Sequence, residues 1–329
     1  MRGAARIRTA DGEDEWRARK RKAVHAGLDF ISTTGLAMLR STALHARHGS
    51  DILLPFHVPR SNPTEEEAHA LLVAKKLANE WRMQHCGKQL PNRCEPRQLL
   101  DLMQGLYALE ELGLGDPVLT SQVAERCAKF NAVDFFKFDP LHTEPGAFVC
   151  EDCVCGARLD AESAHCTQCR RPAIRMSAYD VWLEALVFTF HGCRMGIGLG
   201  ACFFDILRQL STAFVAAHGK TLAQKDAHYL AYALTHVIYA LSNFNERSLP
   251  PSLFPPPIRS CLLDRLKFAL KKRDPDLAGE CLDCLKCIGE RGQTLNAAER
   301  FLVGSQQADG GWCCVRMILR RAASSGSRS

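Results

Sequence analysis

The sequence predicts an all-α protein, a succession of helical hairpins, on three observations. Apolar residues recur at three- and four-residue spacing in one segment after another, and period-2 alternation is nearly absent outside one Cys-rich stretch. Short breaks bearing Gly, Pro, Asn or Asp separate the segments, as helix–loop–helix connections require. The 329 residues are 47% hydrophobic, enough for a sizeable core, which excludes disorder for most of the chain. No apolar run reaches the roughly 18 to 20 residues of a membrane helix, because Arg, Asp, His or Lys interrupts each one.

Residues 1–16 are polar, with Arg2, Arg6 and Arg8 ahead of the acids Glu13, Asp14 and Glu15, and read as a disordered tail that matches an organelle-import signal only weakly. A first helical half follows at 17–145. Within it, Asn62-Pro63-Thr64-Glu65-Glu66-Glu67 reads as an N-cap, a first-turn Pro and acids at the positive end of a helix dipole. Leu99, Leu102, Met103, Leu106 and Leu109 repeat at three and four, and Gly113 with Asp116-Pro117 ends that helix. A Cys-rich insertion occupies 146–175. The second helical half, 176–312, carries predicted helices at about 178–194, 200–217, 222–244, 258–272, 276–289 and 295–306. A basic tail read as disordered, 313–329, completes the order.

The net charge is +6, but residues 1–22 hold eight basic and four acidic side chains, and 316–329 hold four Arg and no acid. The tails therefore carry +8 and the body about −2, which argues against nucleic acid as a partner. Sixteen Cys, clustered in C-x-x-C pairs without a secretory leader, point to reduced thiols, metal binding and the reducing cytoplasm rather than a disulfide framework.

In FVCEDCVCGARLDAESAHCTQCRRP, Cys150-x-x-Cys153 and Cys166-x-x-Cys169 offer four thiolates that can close a tetrahedron around Zn²⁺. Cys155 is an alternative ligand through Cys153-x-Cys155-Gly156, and His165 a weaker one. The segment resembles a zinc ribbon. Four thiolates leave no position for substrate, so the zinc is expected to be structural. Arg158, Arg170, Arg171 and Arg175 surround it without an interleaved aromatic to stack bases. Cys281, Cys284 and Cys287, at i, i+3 and i+6, read as small core residues.

Residues 298–312, AERFLVGSQQADGGW, place Gln306, Gly310 and Trp312 after an apolar helix. This pattern resembles the QW-type repeat of terpene cyclases and protein prenyltransferases, which implies an α/α toroid of alternating inner and outer helices around a cavity. The Asp-x-Asp-Asp acid motif of the class II cyclases is missing, and no prenyltransferase zinc triad is assignable. The ending after Trp312 is unlike a continuing toroid, so the expected toroid is incomplete. Phe190 to Ile197, FHGCRMGI, is similar to a glycine-bearing segment of lanthionine-cyclase-like toroids, whose Cys and His zinc ligands are not identifiable here.

Asp180, Glu184, His191 and Arg194 share one azimuth of the 178–194 helix, and His228, Tyr232, Thr235, His236, Tyr239 and Asn243 form a stripe on 222–244. Inner toroid helices facing a cavity would look like this, with Glu184, His191 and His236 available for acid–base work and Arg194 as an anion clamp. The expected function is a zinc-binding helical-repeat scaffold that engages another protein. The alternative is a terpenoid cyclase or prenyltransferase-like enzyme using that cavity.

Overall fold

A computed structural model describes residues 3–42, 44–45, 49–53, 64–145, 148–149, 165–168, 170, 175–217 and 222–312. The fold is all-α. Among the described residues, eleven α-helices are accompanied by one ladder of two-residue strands. In chain order the helices are α1 (Gly3–Arg40), α2 (Glu65–His85), α3 (Pro96–Glu111), α4 (Pro117–Cys127), α5 (Ala132–Phe136), α6 (Ala178–Met195), α7 (Phe203–Ala217), α8 (Gln224–Ser242), α9 (Pro256–Lys272), α10 (Pro275–Cys287) and α11 (Gln293–Ser305). The strands are β1 (Phe148–Val149) and β2 (Arg175–Met176). The chain divides into two compact units. One comprises Met1–Lys88, Ala108–Asp116 and Ser242–Ser329, and the other Gln89–Tyr107 and Pro117–Leu241.

The first unit is organised by α1. This helix begins at Gly3, inside the segment that the sequence reads as a tail, and Arg17 pairs with Glu13 and Asp14 at helical spacing, 3.6 and 3.4 Å. The start of α2 differs from expectation: Thr64, not Asn62, is the N-cap. Thr64 Oγ1 accepts the Glu67 amide at 3.2 Å while Glu67 accepts the Thr64 amide at 2.7 Å, so two otherwise unpaired donors are satisfied reciprocally. Partners of α1 on α2 keep a nearly constant separation: His25 with His69 and Ser32 with Lys76 are both 44 residues apart, and Leu39 with Gln84 is 45. A constant difference means that the two helices run parallel. Leu77, Ala78 and Trp81 fill the buried face between them, and the Trp81 indole N–H donates to the buried Ser50 hydroxyl at 2.9 Å.

Within the same unit α9 and α10 form a hairpin. Arg259 meets Glu290 just past the end of α10 at 3.0 Å, and Asp274 caps the helix by accepting the Leu277 amide at 3.2 Å. Leu262, Leu266, Leu277, Cys281 and Leu285 are fully buried there. Glu299 of α11 pairs with Lys20 of α1 at 3.3 Å and also with Lys286 of α10. First and last helices are thus neighbours.

In the second unit Arg97 of α3 reaches Glu184 of α6, and Tyr107 further along α3 reaches His191 further along α6, so these helices are also parallel. Ser177 at the head of α6 donates to Asp226 at the head of α8, 2.7 Å away and 49 residues on. Helix α6 ends where Gly196 adopts φ 69° and the Ile197 amide bonds to the Gly192 carbonyl at 2.8 Å.

Candidate functional site

The α6 face brings Glu184, His191 and Arg194 onto one helix but into unlike surroundings. Glu184 is exposed, and its carboxylate is 2.9 Å from the Arg97 guanidinium, which also lies over the Phe188 ring. His191 is fully buried, stacked on Tyr107 with ring centres 4.3 Å apart and flanked by Phe190. Arg194 is exposed in the last turn. On α8, His236 is half-buried. Its Nδ1–H donates to the Tyr232 carbonyl at 2.9 Å, since a carbonyl can only accept, which leaves Nε2 as the basic nitrogen. His228 packs edge-on against Tyr232. The helical arithmetic placed these residues on common faces. It did not tell how deeply each would lie, which is set by what covers the helix along its length.

The most perturbed carboxyl of the stripe is Asp180, pushed up to about 6 by burial and then by Glu184 one turn away, with Lys225 acting in the opposite sense. A carboxyl that exchanges its proton near neutrality is a competent acid or base, and its sequence signal was the acid pair at i, i+4 on an apolar helix. Histidines of the first unit carry the features that residue patterns did not reveal. His25 and His69 touch across α1 and α2. His85, lowered to about 4 by burial and by the neighbouring His45 and Lys88, is held neutral beside Trp81.

Of the expected zinc ligands, Cys150, Cys153, Cys155 and Cys169 lie outside the described residues. Cys166 is fully buried, and its carbonyl accepts the Arg170 amide at 2.9 Å with Arg170 at φ 60°. Antiparallel pairing of Phe148 with Met176 and Val149 with Arg175 brings the two ends of the Cys-rich segment together. His165 is exposed. Among the described residues no group of three or more His, Cys, Asp or Glu is placed to hold a metal. Cys281 and Cys284 are buried, and burial pushes the Cys281 thiol up, as suits core residues, but Cys287 at the end of α10 is only half-buried.

Of the four glycines at 192–200, Gly192 and Gly200 are packing devices, whereas a Cβ on Gly196 or Gly198 would meet nothing. A Cβ on Gly192 would meet the Ile197 carbonyl at 2.7 Å, and one on Gly200, at φ 77°, the Ala132 amide at 2.5 Å. The C-terminal motif is equally physical. The Gln306 side-chain amide donates to the carbonyls of Ala23 and Gly310, each at 2.8 Å, and the Trp312 indole donates to the Leu302 carbonyl at 2.8 Å while lying against Gly27. Gly310 sits at φ 90° where a Cβ would be 2.1 Å from the Ala26 carbonyl oxygen.

Residues 208–328 match the model of a family described as a domain of unknown function (DUF6895). The match takes in the later part of α7, helices α8 to α11 and the Gln306–Trp312 turn, with His236 inside it and Glu184, His191, Arg194 and the Cys-rich segment outside. No curated protein and no solved structure matches the chain. Among the described residues no helix is long and apolar enough to cross a membrane.

Proposed function

We propose that the protein is a helical-repeat binding module of the α/α-toroid kind, with a structural zinc ribbon at 146–175, whose partner is another protein. The observation that carries this reading is the parallel packing of helix pairs within each unit: α1 with α2 at a separation of 44 residues, and the non-consecutive α3 with α6 through Arg97–Glu184 and Tyr107–His191. Equivalent helices of successive hairpins pack in this way in repeat architectures, where each unit covers its neighbour's apolar face. The Gln306–Trp312 turn fastened onto α1 supports it further. Scaffold is favoured over enzyme because the acid–base candidates are separated by environment, Glu184 in a surface ion pair and His191 in an aromatic core.

The zinc ribbon is tested on the full reduced chain by elemental analysis and chelation. About one equivalent of zinc is expected, lost in Cys166→Ser, and its removal should unfold the Cys-rich segment while the helical signal largely persists. A chain without zinc that keeps the same structure would refute the ribbon. Incubation with allylic diphosphates decides the class: no turnover is expected, and turnover abolished by Glu184→Gln and His236→Ala would replace the scaffold with the enzyme.

A further inference from the structure

We propose that His25 and His69 form a site for a divalent transition metal, clasping α1 to α2. The two Nδ1 atoms are 2.9 Å apart, on half-buried rings whose planes are inclined by 28°. The parallel register that pairs Ser32 with Lys76 at the same 44-residue separation fixes the opposition of the two histidines, so convergence is a property of the helix pair and not of two loose side chains.

The far nitrogen of His69, Nε2, lies 3.4 Å from the Asp29 carboxylate, one turn beyond His25 on α1. A carboxylate there favours the proton on Nε2 and leaves the Nδ1 lone pair facing His25. This is how metal-binding imidazoles are oriented from behind, through a carboxylate on the non-ligating nitrogen. Without metal, a single hydrogen bond joins the two Nδ1 atoms, and a cation takes the place of its proton.

Separation permits a shared ion. Two nitrogens at about 2.0–2.1 Å from one metal lie about 2.9 Å apart when they subtend a right angle, but about 3.3–3.4 Å at the tetrahedral angle. The observed 2.9 Å, the spacing of a direct imidazole–imidazole hydrogen bond, is short enough for both nitrogens to reach one ion with little movement of either ring. The His69 side chain is 26% exposed and Asp29 73%, so water has access to the remaining corners. With two protein ligands the site exchanges its ion and is distinct from a structural cage. The other histidine pair of this unit, His45 and His85, has ring centres 5.2 Å apart and planes tilted by 51°, and serves as an internal control.

Nickel(II) chloride titrated into the full reduced chain, followed through the imidazole resonances of histidine-labelled protein, tests the proposal. Two imidazoles should respond first, and affinity should fall at least about ten-fold in His25→Ala and His69→Ala and about three- to ten-fold in Asp29→Asn. His85→Ala and Cys166→Ser should leave it unchanged. Wild-type affinity in either the His25 or the His69 variant, or a loss confined to Cys166→Ser, overturns the site. Should His69→Ala loosen the helix pair, seen in its melting curve without metal, His25→Gln and the exposed Asp29→Asn decide the matter.

Discussion

Asp180 and Glu184 stand one helical turn apart, and their difference shows what a single position contributes. Glu184 reaches solvent and the Arg97 guanidinium, an exposed pair worth no more than about 1 kcal/mol. Asp180 is pushed up to about 6, first by burial and next by Glu184. A carboxyl that keeps its proton longer in the folded than in the unfolded chain opposes folding as pH rises. The unfolded group ionises near its ordinary 3.8 and the native one near 6, so the penalty grows between those values and is complete above the upper one. Asp180→Asn is therefore expected to stabilise the protein by about 1–2 kcal/mol at pH 7.5, the shift discounted for partial solvation, and to change little near pH 4. Urea midpoints at the two pH values check this. A variant less stable than the parent at pH 7.5 would mean that the Asp180 carboxylate is held by favourable partners instead.

The elements themselves were largely legible. Helices expected at about 178–194, 200–217, 222–244, 258–272, 276–289 and 295–306 are found within a few residues, because periodic apolar faces and Gly or Pro breaks report local structure directly. Pairing was not legible: a periodic face tells that a helix is covered, not by which neighbour or in which direction, so neither the parallel α1–α2 register nor the His25–His69 contact was apparent. Asn243, Phe244 and Asn245, all at positive φ, end α8 in a left-handed turn that a sequence with Gly would have announced and this one does not. The Gln306–Trp312 turn is the opposite case, a motif whose residues each have a visible task. Gly310→Ala combines a positive φ with a Cβ driven into the Ala26 carbonyl and should destabilise by about 2–4 kcal/mol. Gln306→Ala, which removes one side-chain amide shared between two carbonyls, should lose only about 1 kcal/mol. Denaturant midpoints of the two variants check the order, and equal losses would mean that the hydrogen bonds, not the close approach, fasten the turn.

At the scale of the molecule, the unit holding Met1–Lys88 also holds Ser242–Ser329, so its structure depends on contacts between residues far apart in sequence. Lys20 meets Glu299 across 279 positions, and Gln306 meets Ala23 across 283. Such contacts close very long loops, and the chain entropy lost in closing them must be offset by the contacts themselves. Residues that close together in folding also open together, and cooperative openings follow packed units more than chain order. Amides of α1 between Ala23 and Phe30 should therefore share one opening free energy with those of α11, although almost the whole chain lies between them. Amides of α6 around Leu186 to Gly192, buried in the other unit, should open on a separate profile. Native-state hydrogen exchange across a denaturant series reads both: coincident isotherms for α1 and α11, distinct from α6, are expected. An α1 that merges with α6 and leaves α11 to fray alone would show that the turn at Gln306–Trp312 rests on α1 without stabilising it.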